Sequence, residues 1–199
     1  MKRVLIFLVA AVLLVGTSVA QTEDKPSPAG AGMKPALIVI DVQNEFLPYM
    51  SELDVKRAPN MINGAIWMFR QRGLPVIRVY HTDPKWGPAP DSPGFQFMPS
   101  ITVLEDDPKV VKNYPSAFKK TELEKLLRDQ GINTLFLCGL SSTGCVLATY
   151  HGAQDLDFDV FMVKDGLIGP DPGHTNVIEE ICESVTFKAL QVMLGNVRS

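Results

Sequence analysis

The sequence predicts a three-layer α/β/α sandwich with a mainly parallel, doubly wound sheet. Two observations predict it: short apolar runs without polar alternation, and longer stretches between them whose apolar residues recur at helical spacing. Strands that are apolar on both sides must be covered on both faces, and strands separated by helices join in parallel through right-handed crossovers. In such sheets ligands sit beyond the carboxyl ends of the strands, so those ends are where chemistry is sought.

The folded part begins near Lys34, where Ala36 to Ile40 is an unbroken β-type run. Val55 to Arg72 carries Met61, Ile62, Ala65, Ile66, Met68 and Phe69 at helical spacing and stops at Gly73. Pro75 to Tyr80 is the second strand. His81 to Pro108, rich in Pro, Gly and Asp with two aromatic clusters, is a long loop of the kind that builds a binding site. Val110-Val111-Lys112 is a minimal third strand. Thr121 to Gln130 reads as a helix, with Thr121 as N-cap and Glu124 completing a capping box. Thr134 to Cys138 is the fourth strand, Thr143 to Leu156 a helix, and Asp159 to Val163 a strand. Thr175 to Ser184 is a helix entered through Asp171 to His174, Val185 to Phe187 a short strand, and the last helix runs from about Ala189.

A chain of 199 residues with 46% hydrophobic content supplies one domain, placed at residues 34–199. Net charge is -3, from 22 acidic and 19 basic residues without a long run of either sign. That excludes a nucleic-acid footprint and an anionic-membrane patch, and leaves a small molecule as the partner. A homo-oligomer is allowed for, with a neighbouring subunit completing the pocket wall. Residues 1–20 read as a secretory signal: Lys2-Arg3, an apolar run from Val4 to Val15, and Ser18-Val19-Ala20 before Gln21. The run is too short to favour a permanent span, so the expectation is export with cleavage near Ala20 and no membrane contact in the mature form. An uncleaved anchor is the alternative. Residues 21–33, with two Pro and two Gly, read as a flexible linker.

Three strand ends deliver reactive side chains. Asp41 closes the first strand, Lys112 closes the third, and Cys145 follows the fourth in Gly139-Leu140-Ser141-Ser142-Thr143-Gly144-Cys145. A thiol acts as a nucleophile through its thiolate, which a helix N-terminus and a nearby cation favour. Asp41 is suited to taking the thiol proton and returning it to a leaving amine, and Lys112 to offsetting negative charge. The turn's N–H groups, those of Ser141 and Cys145 first, are candidates for an oxyanion hole. Cys138, inside an apolar strand, reads as core, and Cys182 as packing with a disulfide to Cys138 left open. His151 and His174 read as structural, and Asp165 as a loop or capping residue. A dinucleotide-binding oxidoreductase would need a glycine-rich turn after the first strand, which Asp41-Val-Gln-Asn-Glu does not supply.

These segments resemble the isochorismatase-like cysteine hydrolases. Ala36 to Phe46 is similar to the family's first strand with its catalytic Asp, Lys112 to Phe118 with Thr121-Glu-Leu123 to its lysine segment, and Gly139 to Val146 to its glycine-to-cysteine turn. The resemblance implies a Rossmann-like sandwich over about residues 35–190, catalytic roles for Asp41, Lys112 and Cys145, and a cis bond between Leu140 and Ser141. It also implies a pocket-lining role for Phe46. His81, just past the second strand, is read as a substrate contact, and Trp86 as a pocket wall or a loop anchor. The chain departs from the family in having Ser142 where Thr is usual, which keeps the hydroxyl. The nicotinamidase branch carries an Asp and several His for a metal, whereas His81-Thr82-Asp83 offers one His. The expectation is therefore a hydrolase without metal or other cofactor, acting on a small amide or carbamoyl group. Isochorismatase-type vinyl-ether hydrolysis and a non-catalytic binding or assembly role are the alternatives.

Overall fold

The computed structural model describes residues 32–85 and 87–197. The expected signal segment, the linker up to Ala31 and Trp86 lie outside the described residues. Six strands form one parallel sheet: β1 (Pro35–Ile40), β2 (Val76–His81), β3 (Lys109–Lys112), β4 (Thr134–Leu140), β5 (Asp159–Ile168) and β6 (Ser184–Val185). Their order is β3-β2-β1-β4-β5-β6. The chain winds outward in one direction from β1 and then returns to start β4 beside it. The β1/β4 boundary is thus the switch point, beyond whose strand ends sheets of this kind bind their ligands.

The burial pattern follows from strand alternation. Leu37 and Val39 of β1 join Phe136 and Cys138 of β4 in a core under α1 (Glu52–Arg70) and α5 (Phe187–Gly195). Ala36, Ile38 and Ile40 join Leu135 and Leu137 in a second core under α2 (Leu123–Asp129) and α3 (Leu147–Gln154). Both faces of every central strand are covered, which is the sandwich expected from unbroken apolar runs. Cys138 belongs to the first core and Cys182 packs against the second, and all three thiols are free. The disulfide left open is therefore not formed.

Several element boundaries differ from expectation for local reasons. The first helix starts at Glu52, because the Ser51 hydroxyl accepts from the Asp54 N–H at 3.4 Å. Only half of the capping expected at Thr121 forms: its hydroxyl accepts from the Leu123 N–H at 3.3 Å, where α2 begins, while donating to the Ala117 carbonyl. After β4 the chain makes a π turn, Ser142–Val146, before α3 begins at Leu147. Asp165 is in a strand, not a loop: β5 runs on to Ile168 past a register shift, with Asp165 at φ 62. Helix α4 (Pro172–Ile181) starts earlier than expected, capped by Asp171, and Thr186 caps α5 where a strand was expected.

The long loop folds back along the segment after β1. Asn44 N–H bonds to the Gln96 carbonyl at 2.9 Å and Met98 N–H to that of Val42 at 2.8 Å. Phe95 and Phe97 pack on Tyr80 with ring centroids 4.8 and 4.6 Å away. The loop thereby braces the ends of β1 and β2.

Gly139 sets how closely β4 approaches β1 at the cleft. Its φ is +114, and a Cβ there would lie 2.1 Å from the Ile40 carbonyl oxygen and 2.8 Å from the Ile40 nitrogen. Both neighbours are backbone and cannot rotate away. Gly139→Ala should therefore lower the unfolding free energy by about 3 kcal/mol, read from urea midpoints at unchanged m-value. An unchanged midpoint would contradict this packing.

Candidate active site

Asp41 is the first residue beyond β1 and is 1% exposed. Its φ of 49 puts a non-glycine residue in the left-handed region. Two backbone bonds hold it there, from the Asp41 N–H to the Val79 carbonyl at 2.9 Å and from the Gln43 N–H to the Asp41 carbonyl at 2.6 Å. The turn brings the carboxylate to the Lys112 ammonium.

Lys112 ends β3, two strands from β1, and pairs in register with His81 at the end of β2. Only a long side chain crosses that gap, and Lys112 does so while 1% exposed. Its Nζ lies 2.6 Å from Asp41 Oδ2, 3.1 Å from His81 Nδ1 and 3.2 Å from Cys145 Sγ. An ammonium has three protons and no acceptor, and three acceptors surround this one. The contact to Asp41 is an ion pair, and the Cys145 thiol also bears on the carboxylate. Burial raises the Asp41 pKa above the ordinary carboxylate value, against the opposing charge of Lys112.

The lysine contact fixes the tautomer of His81. Since Nδ1 must accept from an ammonium, the ring proton resides on Nε2. Burial and the Lys112 charge depress its pKa to about 4. Gln43, fully buried, clamps the same residue: its Oε1 accepts from the His81 N–H at 2.7 Å, and its Nε2 donates to the His81 and Phe95 carbonyls, both at 3.0 Å. Phe46 stands edge-on to the imidazole with centroids 5.9 Å apart. Phe46 and His81 are thus brought to the cluster. Gln43 was missed, although it follows Asp41 at strand spacing across the buried Val42.

Cys145 lies in the π turn, two residues before α3, and not at an α-helix N-terminus as expected. Its pKa moves opposite to expectation, up to about 11. Burial is the main cause and the Asp41 carboxylate the next, together outweighing the lowering by Lys112. At neutral pH the resting group is therefore the thiol. Within the turn, the N–H groups of Gly144 and Val146 both go to the Ser141 carbonyl, at 3.0 and 3.1 Å. The bond between Leu140 and Ser141 is cis, as the resemblance implies.

Among the described residues, the donor atoms of Asp41, His81 and Cys145 form a cluster in which all lie within 4.8 Å of one another, a set that suits a thiophilic ion. The Lys112 ammonium stands among the three and takes the place of a cation. His151 and His174 are exposed on α3 and α4, away from this cluster.

Residues 35–185 match the isochorismatase domain family. An isochorismatase family protein of Bacillus subtilis is 30% identical over 138 residues, 67% of this chain and 77% of that protein. The maleamate amidohydrolase of Pseudomonas putida is 26% identical over 174 residues, 75% of this chain and 80% of that protein. The crystal structure of N-carbamoylsarcosine amidase from Thermoplasma acidophilum is 27% identical with a TM-score of 0.67, covering 77% of this chain and 95% of that one.

A histidine held neutral by burial and a facing ammonium takes up a proton only in acid. Side-chain nitrogen NMR of His81 should show the Nε2–H tautomer without change from about pH 7 to about pH 5, with protonation centred near 4. A midpoint near the ordinary histidine value would mean that the imidazole is neither buried nor faced by Lys112 as described.

Proposed function

We propose that this chain, which belongs to the isochorismatase family, is a cysteine-dependent hydrolase that cleaves a small amide or carbamoyl C–N bond through a covalent acyl-enzyme. The observation that carries this reading is a single buried ammonium within reach of both a carboxylate and a sulfur. The relatives that are amidohydrolases support the choice of bond.

The steps follow from charge placement. The Cys145 thiol passes its proton to Asp41, whose raised pKa makes it a better base than an ordinary carboxylate. The negative charge moves from oxygen to sulfur, and both atoms adjoin Lys112, so the charge never leaves its counter-ion. The sulfur attacks the carbonyl carbon, and the carbonyl π pair moves to oxygen, where the N–H groups of Cys145 and Ser141 are proposed to receive it. Collapse of the tetrahedral intermediate breaks the C–N bond, and the amine leaves with the proton held by Asp41. Water then attacks the thioester, giving its proton to Asp41. The second collapse releases the acid, and the sulfur recovers its proton. Phe46 and the Nε2–H of His81 are proposed to line the substrate side; a substrate contact by Trp86, which lies outside the described residues, is proposed on the sequence alone.

Export with cleavage near Ala20 is proposed on the three-part pattern of residues 1–20. Mass spectrometry of the protein recovered from its natural host should give Gln21 as the first residue, whereas an intact Met1 terminus would reject cleavage.

Two cysteine measurements test the mechanism. Asp41→Asn removes a charge that raises the Cys145 pKa, so the thiolate fraction at about pH 8 should rise by about tenfold for each unit of pKa lost, and alkylation by iodoacetamide should speed up by about threefold per unit. Lys112→Met removes the opposing charge and should slow alkylation. Both should nearly abolish turnover on a panel of small amides, N-carbamoyl compounds and isochorismate. Cys145→Ala should abolish it too; vinyl-ether turnover that survives Cys145→Ala would replace the acyl-enzyme with chemistry at Asp41 and Lys112. No cysteine-dependent turnover on the whole panel would favour a non-catalytic role.

A further inference from the structure

Behind the π turn, three fully buried polar side chains from three distant segments form one chain of hydrogen bonds. The Ser142 and Thr175 hydroxyls are 3.0 Å apart, and Thr175 Oγ1 is 2.8 Å from Asp54 Oδ2. Thr175 has one proton to give, and its shorter contact is to a carboxylate, which has none. Its hydroxyl therefore donates to Asp54 and its oxygen accepts from Ser142. The direction runs from the cysteine turn to the carboxylate, so each bond polarises the next.

The carboxylate at the end of the chain is itself pinned. Asp54 Oδ2 also accepts from the Gly169 N–H at 3.1 Å, and Oδ1 faces Arg57 Nη2 at 3.1 Å. The other arm of Arg57 reaches Asp165 on β5 at 3.0 Å. Gly169 leaves the space for the two hydroxyls: a Cβ there would lie 2.3 Å from Thr175 Oγ1 and 2.4 Å from Ser142 Oγ. A simple helix cap would need none of this, because Ser51 already caps α1.

We propose that Thr175 and Asp54 are positioning residues for the Cys145 nucleophile, acting through Ser142 to hold the first residue of the π turn and with it the sulfur three residues on. The proposal rests on the cysteine-hydrolase reading, since a sulfur needs fixed placement only if it reacts. None of these groups touches the Asp41, Lys112 and Cys145 cluster, and their effect is on where the sulfur and the neighbouring N–H groups sit. A misplacement of about 1 Å in such a site costs on the order of a hundredfold in rate.

The test compares Thr175→Val, which keeps the shape and removes the hydroxyl, with Thr175→Ser, which restores it. Ser142→Ala and Asp54→Asn cut the chain at its two ends. With a substrate found by the panel, Thr175→Val and Ser142→Ala should lower kcat about ten- to a hundredfold with KM little changed. Thr175→Ser should regain most of the rate. The pH profile of Cys145 alkylation should shift in Thr175→Val, Ser142→Ala and Asp54→Asn, all measured below their unfolding temperatures. A merely structural role would lower the unfolding temperature and leave that profile and kcat alone, which would overturn the proposal. If Thr175→Val does not fold, Ser142→Ala decides by the same two readings. Alkylation needs no substrate, so the two readings fail separately: an alkylation rate unmoved by Asp41→Asn sinks the hydrolase mechanism, whereas one moved by Asp41→Asn but not by Ser142→Ala sinks only this inference.

Discussion

One buried ammonium constrains the cleft end of this fold. Taking a lysine out of water costs several kcal/mol unless an anion and further acceptors receive it. At Lys112 these are the carboxylate, imidazole and thiol of Asp41, His81 and Cys145. Each acceptor comes from a different strand end, so β1, β2, β3 and the turn after β4 must finish at matching heights. The four-residue strand β3, too short to contribute much core of its own, is held in register by its pairing with β2. Loss of the Asp41 carboxylate would leave the ammonium charge buried and unmatched, and loss of either neutral acceptor would leave one of its protons without a partner.

The central architecture was readable because its signals are local. Unbroken apolar runs specify two-sided burial, and both cores contain the residues those runs supply. Boundaries were legible only where no distant partner intervened. Thr121 has the right neighbour for a capping box, yet its hydroxyl turns back to Ala117. Sequence places the end of β5 at Val163 and Asp165 in a loop or cap. The strand instead absorbs it as an irregularity, with Arg57 compensating the Asp165 charge. At Thr121 a carbonyl four residues back, and at β5 a tertiary ion pair, outweighed a propensity worth about 1 kcal/mol.

Within the site, residue identity was more legible than residue state. Asp41, Lys112 and Cys145 stand at strand ends, and topology alone brings them to one cleft. The direction of the Cys145 shift was not legible, since it depends on burial and on the nearby carboxylate as much as on the cation. The tautomer of His81 depends on a lysine 31 residues away, and the Gln43 clamp spans 38. Ser51-x-x-Asp54 carries the spacing of a capping pair, but the Asp54 side chain is engaged 121 residues away by Thr175. Such long-range polar contacts leave no periodic trace in a sequence.

A thiol with a pKa near 11 looks at first like a poor nucleophile, and the resolution lies in comparing charge states rather than single groups. A free thiolate is disfavoured because it would add a second anion beside Asp41 in a buried site. Transfer of the proton from sulfur to Asp41 adds none: the cluster keeps its net charge and the anion stays against the same ammonium. The pKa of the isolated thiol therefore overstates the cost of forming the attacking species. The same property suits the proposed export. Oxidation proceeds through thiolate, and a sulfur whose ionisation is held back by burial and the Asp41 charge exposes little of it to oxidants at rest. Resting reactivity is then low, and in the proposed mechanism it rises when a substrate carbonyl is in place to receive the charge.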